Sequence, residues 1–151
     1  MRKRILLTFV LLLVLSPVLF LADANSRERP KITFVQRVVD GDTLVLANGE
    51  RVRLIGINSP EKGEPCFEEA GDFLASAVSG KAVELFFDSE RQDKYGRTLA
   101  YVFVDEKHAN LLLVKQGFAV AFPFEPNLRF AKEFSDAEQS ARSQGRGCLW
   151  Q

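Results

Sequence analysis

Residues 43–57 read Thr43-Leu44-Val45-Leu46-Ala47-Asn48-Gly49-Glu50-Arg51-Val52-Arg53-Leu54-Ile55-Gly56-Ile57. Asn48-Gly49 is the strongest short-range signal of a hairpin turn. The β-branched and apolar residues on either side predict strands over Thr43–Leu46 and Glu50–Ile57. Upstream, Ile32–Val39 has the same strand composition, so three strands follow one another as a meander.

Downstream, residues 58–65 hold two prolines, a glycine and three charged residues and read as a loop. Phe67, Ala70, Phe73, Leu74 and Ala77 then fall at helical spacing, with Gly80 as the stop. Two more strands are predicted over Ala82–Phe87 and Arg97–Val104, with a charged turn through Asp93 between them. A short helix over Asn110–Lys115, an apolar piece at Phe118–Phe122 and a third helix from near Asn127 complete the pattern. Trp150 in the tail is expected to plug the core, and the phenylalanines to fill barrel and helix interior. Three strands, a helix, two strands and terminal helices predict an α+β, mainly β fold: a five-stranded OB-type Greek-key barrel with about three packed helices.

The N-terminus is set apart from this domain. Arg2, Lys3 and Arg4 precede an apolar run from Ile5 to Leu21, followed by Ala22-Asp23-Ala24. A basic head, an apolar centre and an A-x-A site predict an export signal over residues 1–24, either cut after Ala24 or kept as a membrane anchor. The expected location is secreted, periplasmic or cell envelope. Residues 25–31 are a polar lead-in and 32–151 the folded domain. Without residues 1–24, 17 basic and 19 acidic residues remain, a net charge of −2. A general electrostatic nucleic-acid binder is therefore not expected, and any such activity has to come from a local site.

The exported part holds Cys66 and Cys148. An oxidising compartment favours their pairing as a disulfide, with two separate buried thiols as the other reading. Zinc is not expected from these two, since His108 is the one histidine.

Polar residues interrupt strand-like runs at three places. In Val38-Val39-Asp40-Gly41-Asp42-Thr43, Asp40 and Asp42 lie two apart, so both can face one pocket. Paired carboxylates suit a hard cation such as calcium, while a plain surface turn is the alternative. In Arg53-Leu54-Ile55-Gly56-Ile57-Asn58-Ser59-Pro60-Glu61, an arginine on an apolar strand needs an anionic partner, either a carboxylate of its own chain or a phosphate. In Asp93-Lys94-Tyr95-Gly96-Arg97, two cations and a ring suit a terminal phosphate and its sugar, or simply form a solvated hairpin. Together they supply what phosphodiester hydrolysis needs: a metal site, a base and donors for transition-state charge.

The blocks VVDGDT, VRLIGINSPE and DKYGR, in this order and spacing, resemble the thermonuclease, or staphylococcal-nuclease-like, family from about Phe34 to Trp150. The resemblance implies a Ca2+-dependent nuclease acting on DNA and RNA, cutting on the 5′ side of the phosphate with little base specificity. It implies Asp42 as a metal ligand beside Asp40, with Asn58 and the Ser59 carbonyl as further oxygens. It also implies Glu61 as general base, Arg53 and Arg97 as phosphate-binding arginines, and Asp93, Lys94 and Tyr95 as nucleotide contacts. Two positions depart from the family pattern. Asn58 replaces an aspartate, which predicts weaker calcium binding, and Phe122 stands where a tyrosine helps hold the nucleotide, keeping a stacking ring without its hydroxyl. The loop Lys62–Pro65 is also short. No obligate protein partner is expected, a monomer suffices, and membrane contact requires an uncleaved N-terminal segment. The competing readings are a non-catalytic nucleic-acid-binding OB module and an envelope interaction domain whose Asp40, Asp42 and Arg53 form a buried ionic network.

Overall fold

A computed structural model describes residues 29–151; the expected export segment lies outside the described residues. The elements run β1 (Lys31–Asp40), β2 (Thr43–Leu46), β3 (Arg51–Leu54), β4 (Gly56–Asn58), α1 (Phe67–Val78), β5 (Ala82–Phe86), β6 (Thr98–Val104), β7 (Lys107–His108), α2 (Ala109–Lys115), β8 (Val120–Phe122) and α3 (Ala131–Ser143). Strand order β3-β2-β1-β5-β6 is closed on itself by a parallel pairing of β3 with β6. That closure makes the five-stranded OB barrel, with β7 appended to β6 and α1, α2 and α3 packed around it.

Alternation accounts for the filling of the barrel. Leu44 and Leu46 on β2, Val52 and Leu54 on β3, and Val83 and Leu85 on β5 are fully buried, because every second residue of a half-buried strand faces the same side. α1 buries Ala70, Leu74 and Val78. Among the described residues Phe134 is the one fully buried phenylalanine; most of the others flank the core. Phe34 and Phe122 are more than half exposed, against the expectation that the phenylalanines are core residues.

The strand expected over Glu50–Ile57 is broken at Ile55 into β3 and β4. Gly56 has φ +81°, and a side chain there would come within 2.2 Å of the Phe134 ring. The break frees β4 to leave the barrel and pair with β8. Asn110, completely buried, satisfies the groups the break exposes. Its Nδ2 donates to the carbonyl of Ile55 at 2.9 Å and its Oδ1 accepts from the Val102 N–H at 3.0 Å.

The third helix starts at Ala131 rather than near Asn127. The Asn127 side chain instead pairs with both backbone groups of Glu90, at 2.8 and 3.0 Å, and Leu128 is exposed. Trp150 is half-buried under the Arg142 guanidinium, 4.1 Å from the ring centroid, rather than inside the core. Cys66, at the N-terminus of α1, is bonded to Cys148. A covalent loop of that length is worth about 4 to 5 kcal/mol in the chain-entropy picture.

His108 caps β7 inside an aromatic cage. Its ring stacks on Phe103 at 4.4 Å and meets Phe130 edge-on at 4.8 Å, and its Nε2 is buried without a partner. Burial, with Lys115 nearby, lowers its pKa from 6.5 to about 4. Between those values the unfolded chain takes up a proton that the folded chain refuses. The stability that depends on this residue is therefore complete above pH 6.5 and falls away as the pH drops towards 4. Denaturation midpoints measured across that window are expected to fall with pH for the native chain, and to flatten in His108→Phe.

Candidate active site

The turn between β1 and β2 brings Asp40 and Asp42 to the barrel rim. Gly41 is required by space, because a Cβ there would lie 2.7 Å from both Ser59 Cβ and Ala70 Cβ. The close approach seats the turn directly against the start of the loop after β4.

Asp42 is 5% exposed and fully engaged. Oδ2 accepts from the Ser59 N–H at 2.8 Å and the Ser59 hydroxyl at 3.0 Å, and Oδ1 accepts from the Thr43 hydroxyl at 3.1 Å. Arg53 Nε lies 3.2 Å from the same Oδ1. Four donors thus occupy the roughly four lone-pair directions of a carboxylate. Asp40 sits beside it and accepts the Asp42 N–H at 3.0 Å. Burial above all, with the neighbouring Asp42 charge adding to it, raises the Asp40 carboxyl above its ordinary pKa.

Arg53 projects from β3, opposite Thr43 of β2. Its terminal nitrogens donate to the carbonyl of Leu54, to the carbonyl of Ile57 at 2.9 Å and to Asn58 Oδ1 at 3.0 Å. Those acceptors are within reach because the chain turns at Ile55–Gly56. Burial is the largest influence on Arg53 and disfavours its charge; Asp42 opposes that, Arg97 adds a like charge, and Asp40 and Glu61 favour the cation. Asp40, Asp42, Glu61 and Arg97 are therefore all within electrostatic reach of Arg53.

Arg97 enters from the turn before β6. Asp93 builds that turn: Oδ1 accepts the N–H groups of Tyr95 and Arg97, both at 2.9 Å, and Oδ2 pairs with Arg97 Nε at 2.6 Å. Burial opposes ionisation of Asp93, but the Arg97 backbone and side chain and the Tyr95 N–H outweigh it and hold its carboxyl below the ordinary range. Tyr95 is 71% exposed, with Lys94 and Arg97 over its ring at 5.0 and 5.6 Å. An open groove of about 290 Å³ between Arg51, Tyr95 and Arg97 adjoins the site.

Glu61 is exposed at the start of its loop, and the N–H of Glu61 donates to Glu64 Oε2 at 2.7 Å. Phe122 ends β8, paired with Gly56 of the same β4 strand that ends in Asn58, with its ring 53% exposed. The family resemblance assigns Ser59 only its carbonyl; the structure adds its N–H and hydroxyl, which lock Asp42. Arg51 is not among the residues expected at the site, although its position two residues before Arg53 on one strand is a signal the sequence carries.

The donor set suits a hard cation in kind. Asp40 and Asp42 are adjacent carboxylates, and Asn58 offers an amide oxygen. Among the described residues no group of three or more Asp, Glu, His or Cys side chains could hold a metal, and the neighbouring Asn58 Oδ1 accepts from Arg53. Burial of the Asp40 carboxyl beside a second carboxylate is what raises it. A cation entering here has to exchange with one of the donors on Asp42.

The model of the staphylococcal nuclease homologue domain matches residues 51–151. The chain belongs to the staphylococcal nuclease family. It is 37% identical over 117 residues to a thermonuclease of Staphylococcus intermedius, covering 72% of this chain and 70% of that protein. It is also 37% identical over 132 residues to the endonuclease YncB of Bacillus subtilis, covering 79% of this chain and 63% of that one. An uncharacterized endonuclease of Haemophilus influenzae is 34% identical over 158 residues, covering 98% and 79%. The matched region of the family domain begins at Arg51 and so includes Arg53, Asn58, Glu61 and Arg97.

The Asp93 carboxylate ties both the backbone and the guanidinium of Arg97 to its turn. Replacing it by alanine leaves two N–H groups and a guanidinium without their acceptor, at a cost of about 1–3 kcal/mol. Urea denaturation of Asp93→Ala is expected to show that loss, and an unchanged midpoint would mean the turn holds Arg97 by itself.

Proposed function

We propose that this nuclease is an exported, calcium-dependent enzyme that hydrolyses phosphodiester bonds in DNA and RNA, with Glu61 as the base and Arg53 and Arg97 holding the phosphate. One observation carries the reading: Arg53 and Arg97, each paired with its own aspartate, are brought to neighbouring positions by the β3–β6 pairing, with the charge of Arg97 disfavouring that of Arg53 and Asp40, Asp42 and Glu61 favouring it. A phosphate is the ligand that relieves this repulsion while accepting planar, bidentate donors. Membership of a nuclease family gives the reaction class.

Asp40, Asp42, Asn58 and the Ser59 carbonyl would hold the cation. A hard divalent ion bound there polarises a phosphoryl oxygen and orients it. The chain's own groups do the rest. Glu61, exposed and ahead of the site, takes a proton from a water as that water attacks phosphorus. The P–O5′ bond opposite the attack breaks, the phosphate stays on the 3′ side, and the 5′ oxygen leaves with a proton from solvent. Arg53 and Arg97 donate to the equatorial oxygens, where charge develops. Asp93 positions Arg97. Tyr95 and Phe122 offer exposed rings for sugar and base, on which stacking is sequence-tolerant.

The Asn58 carbonyl brings no charge to the metal site, so calcium should bind more weakly than at a site with a third carboxylate. The Cys66–Cys148 bond supports an oxidising location outside the cytosol. A non-catalytic OB module is the weaker reading, because a chain carrying net −2 beyond residue 24 lacks the general positive field of a binder.

With calcium, purified protein should degrade both DNA and RNA, and a chelator should stop it. Glu61→Gln should retain oligonucleotide binding while losing about 10²- to 10⁴-fold in turnover; a fully active variant would remove Glu61 from the role. Arg53→Lys keeps the charge but cannot reach the Leu54, Ile57 and Asn58 oxygens together. Its kcat should fall by about 10²- to 10³-fold in a steady-state assay.

A further inference from the structure

Arg51 is the exposed member of the arginine pair on β3. It lies two residues from Arg53, so the two side chains leave the same outer face about 6.8 Å apart along the strand. Val52 and Leu54, between and beyond them, point into the core and are fully buried. Arg53 is held by Asp42, and Arg97 by Asp93. Arg51 has no ion pair or hydrogen bond among the described residues, although it lines the open groove with Tyr95 and Arg97.

Register extends this face across the barrel. Arg51 is opposite Val45 on β2, and Val45 is opposite Arg37 on β1, so all three share one side of the sheet. Val45 is buried yet stands apart from the core cluster, as expected of a small apolar floor between two long side chains. Arg37 is exposed and likewise has no partner among the described residues. With strands about 4.8 Å apart, Arg37 and Arg51 are separated by about 10 Å. Two arginines whose guanidiniums have no ion pair among the described residues, beside a phosphate site on a domain of net negative charge, mark a local anion path.

We propose that Arg51 and Arg37 form a phosphate track running out of the catalytic groove, taking the phosphates that flank the scissile one on a single polynucleotide strand. The track rests on the nuclease reading of the Arg53 site. It makes the enzyme select polymers over mononucleotides, since a ligand with one phosphate occupies only Arg53 and Arg97. Spacing of two residues along β3 is close to the separation of successive phosphates on an extended strand. The open groove leaves room for the sugar between them, against Tyr95.

Binding is measured separately from cleavage. In a Glu61→Gln background with calcium, fluorescence anisotropy is read for labelled thymidine oligomers carrying one, two and four phosphates. Affinity should rise with phosphate number, and Arg51→Ala should remove one step, about tenfold on the two- and four-phosphate ligands. The slope of log affinity against log salt should fall by about 0.7 for each arginine removed. Arg37→Ala should act on the four-phosphate ligand, and Arg51→Glu should weaken binding further than Arg51→Ala. Thermal melts of each variant confirm that the barrel is folded. If Arg51→Ala keeps the parent's affinity and salt slope on the four-phosphate ligand, the track is overturned. If the native chain cuts nothing with calcium while the Arg51-dependent step is present, the nuclease reading fails and the track survives. Cleavage without any length-dependent step overturns the track alone.

Discussion

A guanidinium removed from water must be given acceptors on nearly every side, because an unpaired buried charge costs more than most single contacts supply. Arg53 imposes that demand on this barrel. Its donors are met by a carboxylate from the β1–β2 turn, two carbonyls from the bend after β3, and the amide oxygen that ends β4. The Ile57 and Asn58 acceptors are in reach because the strand stops at Ile55 and restarts in another direction. Gly56 permits the bend, Phe134 fills the space its missing side chain leaves, and Asn110 satisfies the freed carbonyl. Backbone geometry, helix docking and the placement of the Arg53 guanidinium are thus one constraint.

The same arrangement explains why the site is poised. Asp42 neutralises Arg53, and is itself saturated by Ser59 and Thr43. The pair is an ionic unit of the free protein, and under the proposed function a phosphate and a cation would both draw on it. Arg97 is tethered in the same way by Asp93, from a turn on the other side of the barrel closure. Two arginines, each held by its own aspartate, present the same electrostatic problem from two strands. An anion between them resolves it.

Much of this was legible in the sequence, for identifiable reasons. The Asn-Gly turn, the β-branched and apolar residues on either side of it and the helical spacing from Phe67 depend on local patterns, and they place the barrel strands and α1 within a residue or two except where the third strand breaks. The grouping of Asp42, Arg53 and Arg97 could be suspected because each interrupts an apolar run. What was not legible depends on contacts between distant segments. The break at Gly56 is fixed by the Phe134 ring, far along the chain, and apolar content alone reads straight through it. The β4–β8 ribbon needs that break, so the placement of Phe122 was hidden as well. Asn127 looked like a helix start because its bonds to Glu90 are invisible locally. The spacing of Arg51 from Arg53 is visible in the sequence, but its place beside Tyr95 and Arg97 depends on a distant turn.

The parallel joining of β3 to β6 has a consequence for how the molecule comes into being. Residue 52 meets residue 98 there, so the first three strands expose a raw edge until the sixth has been synthesised. The arginine on each side of that seam belongs to a different half of the chain. A ribosome-bound fragment that ends before β6 therefore carries Arg53 without Arg97, and the Cys66 bridge waits longer still, for Cys148. Assembly order alone keeps the two arginines apart until the chain has been made through β6, which ends at Val104 of 151 residues.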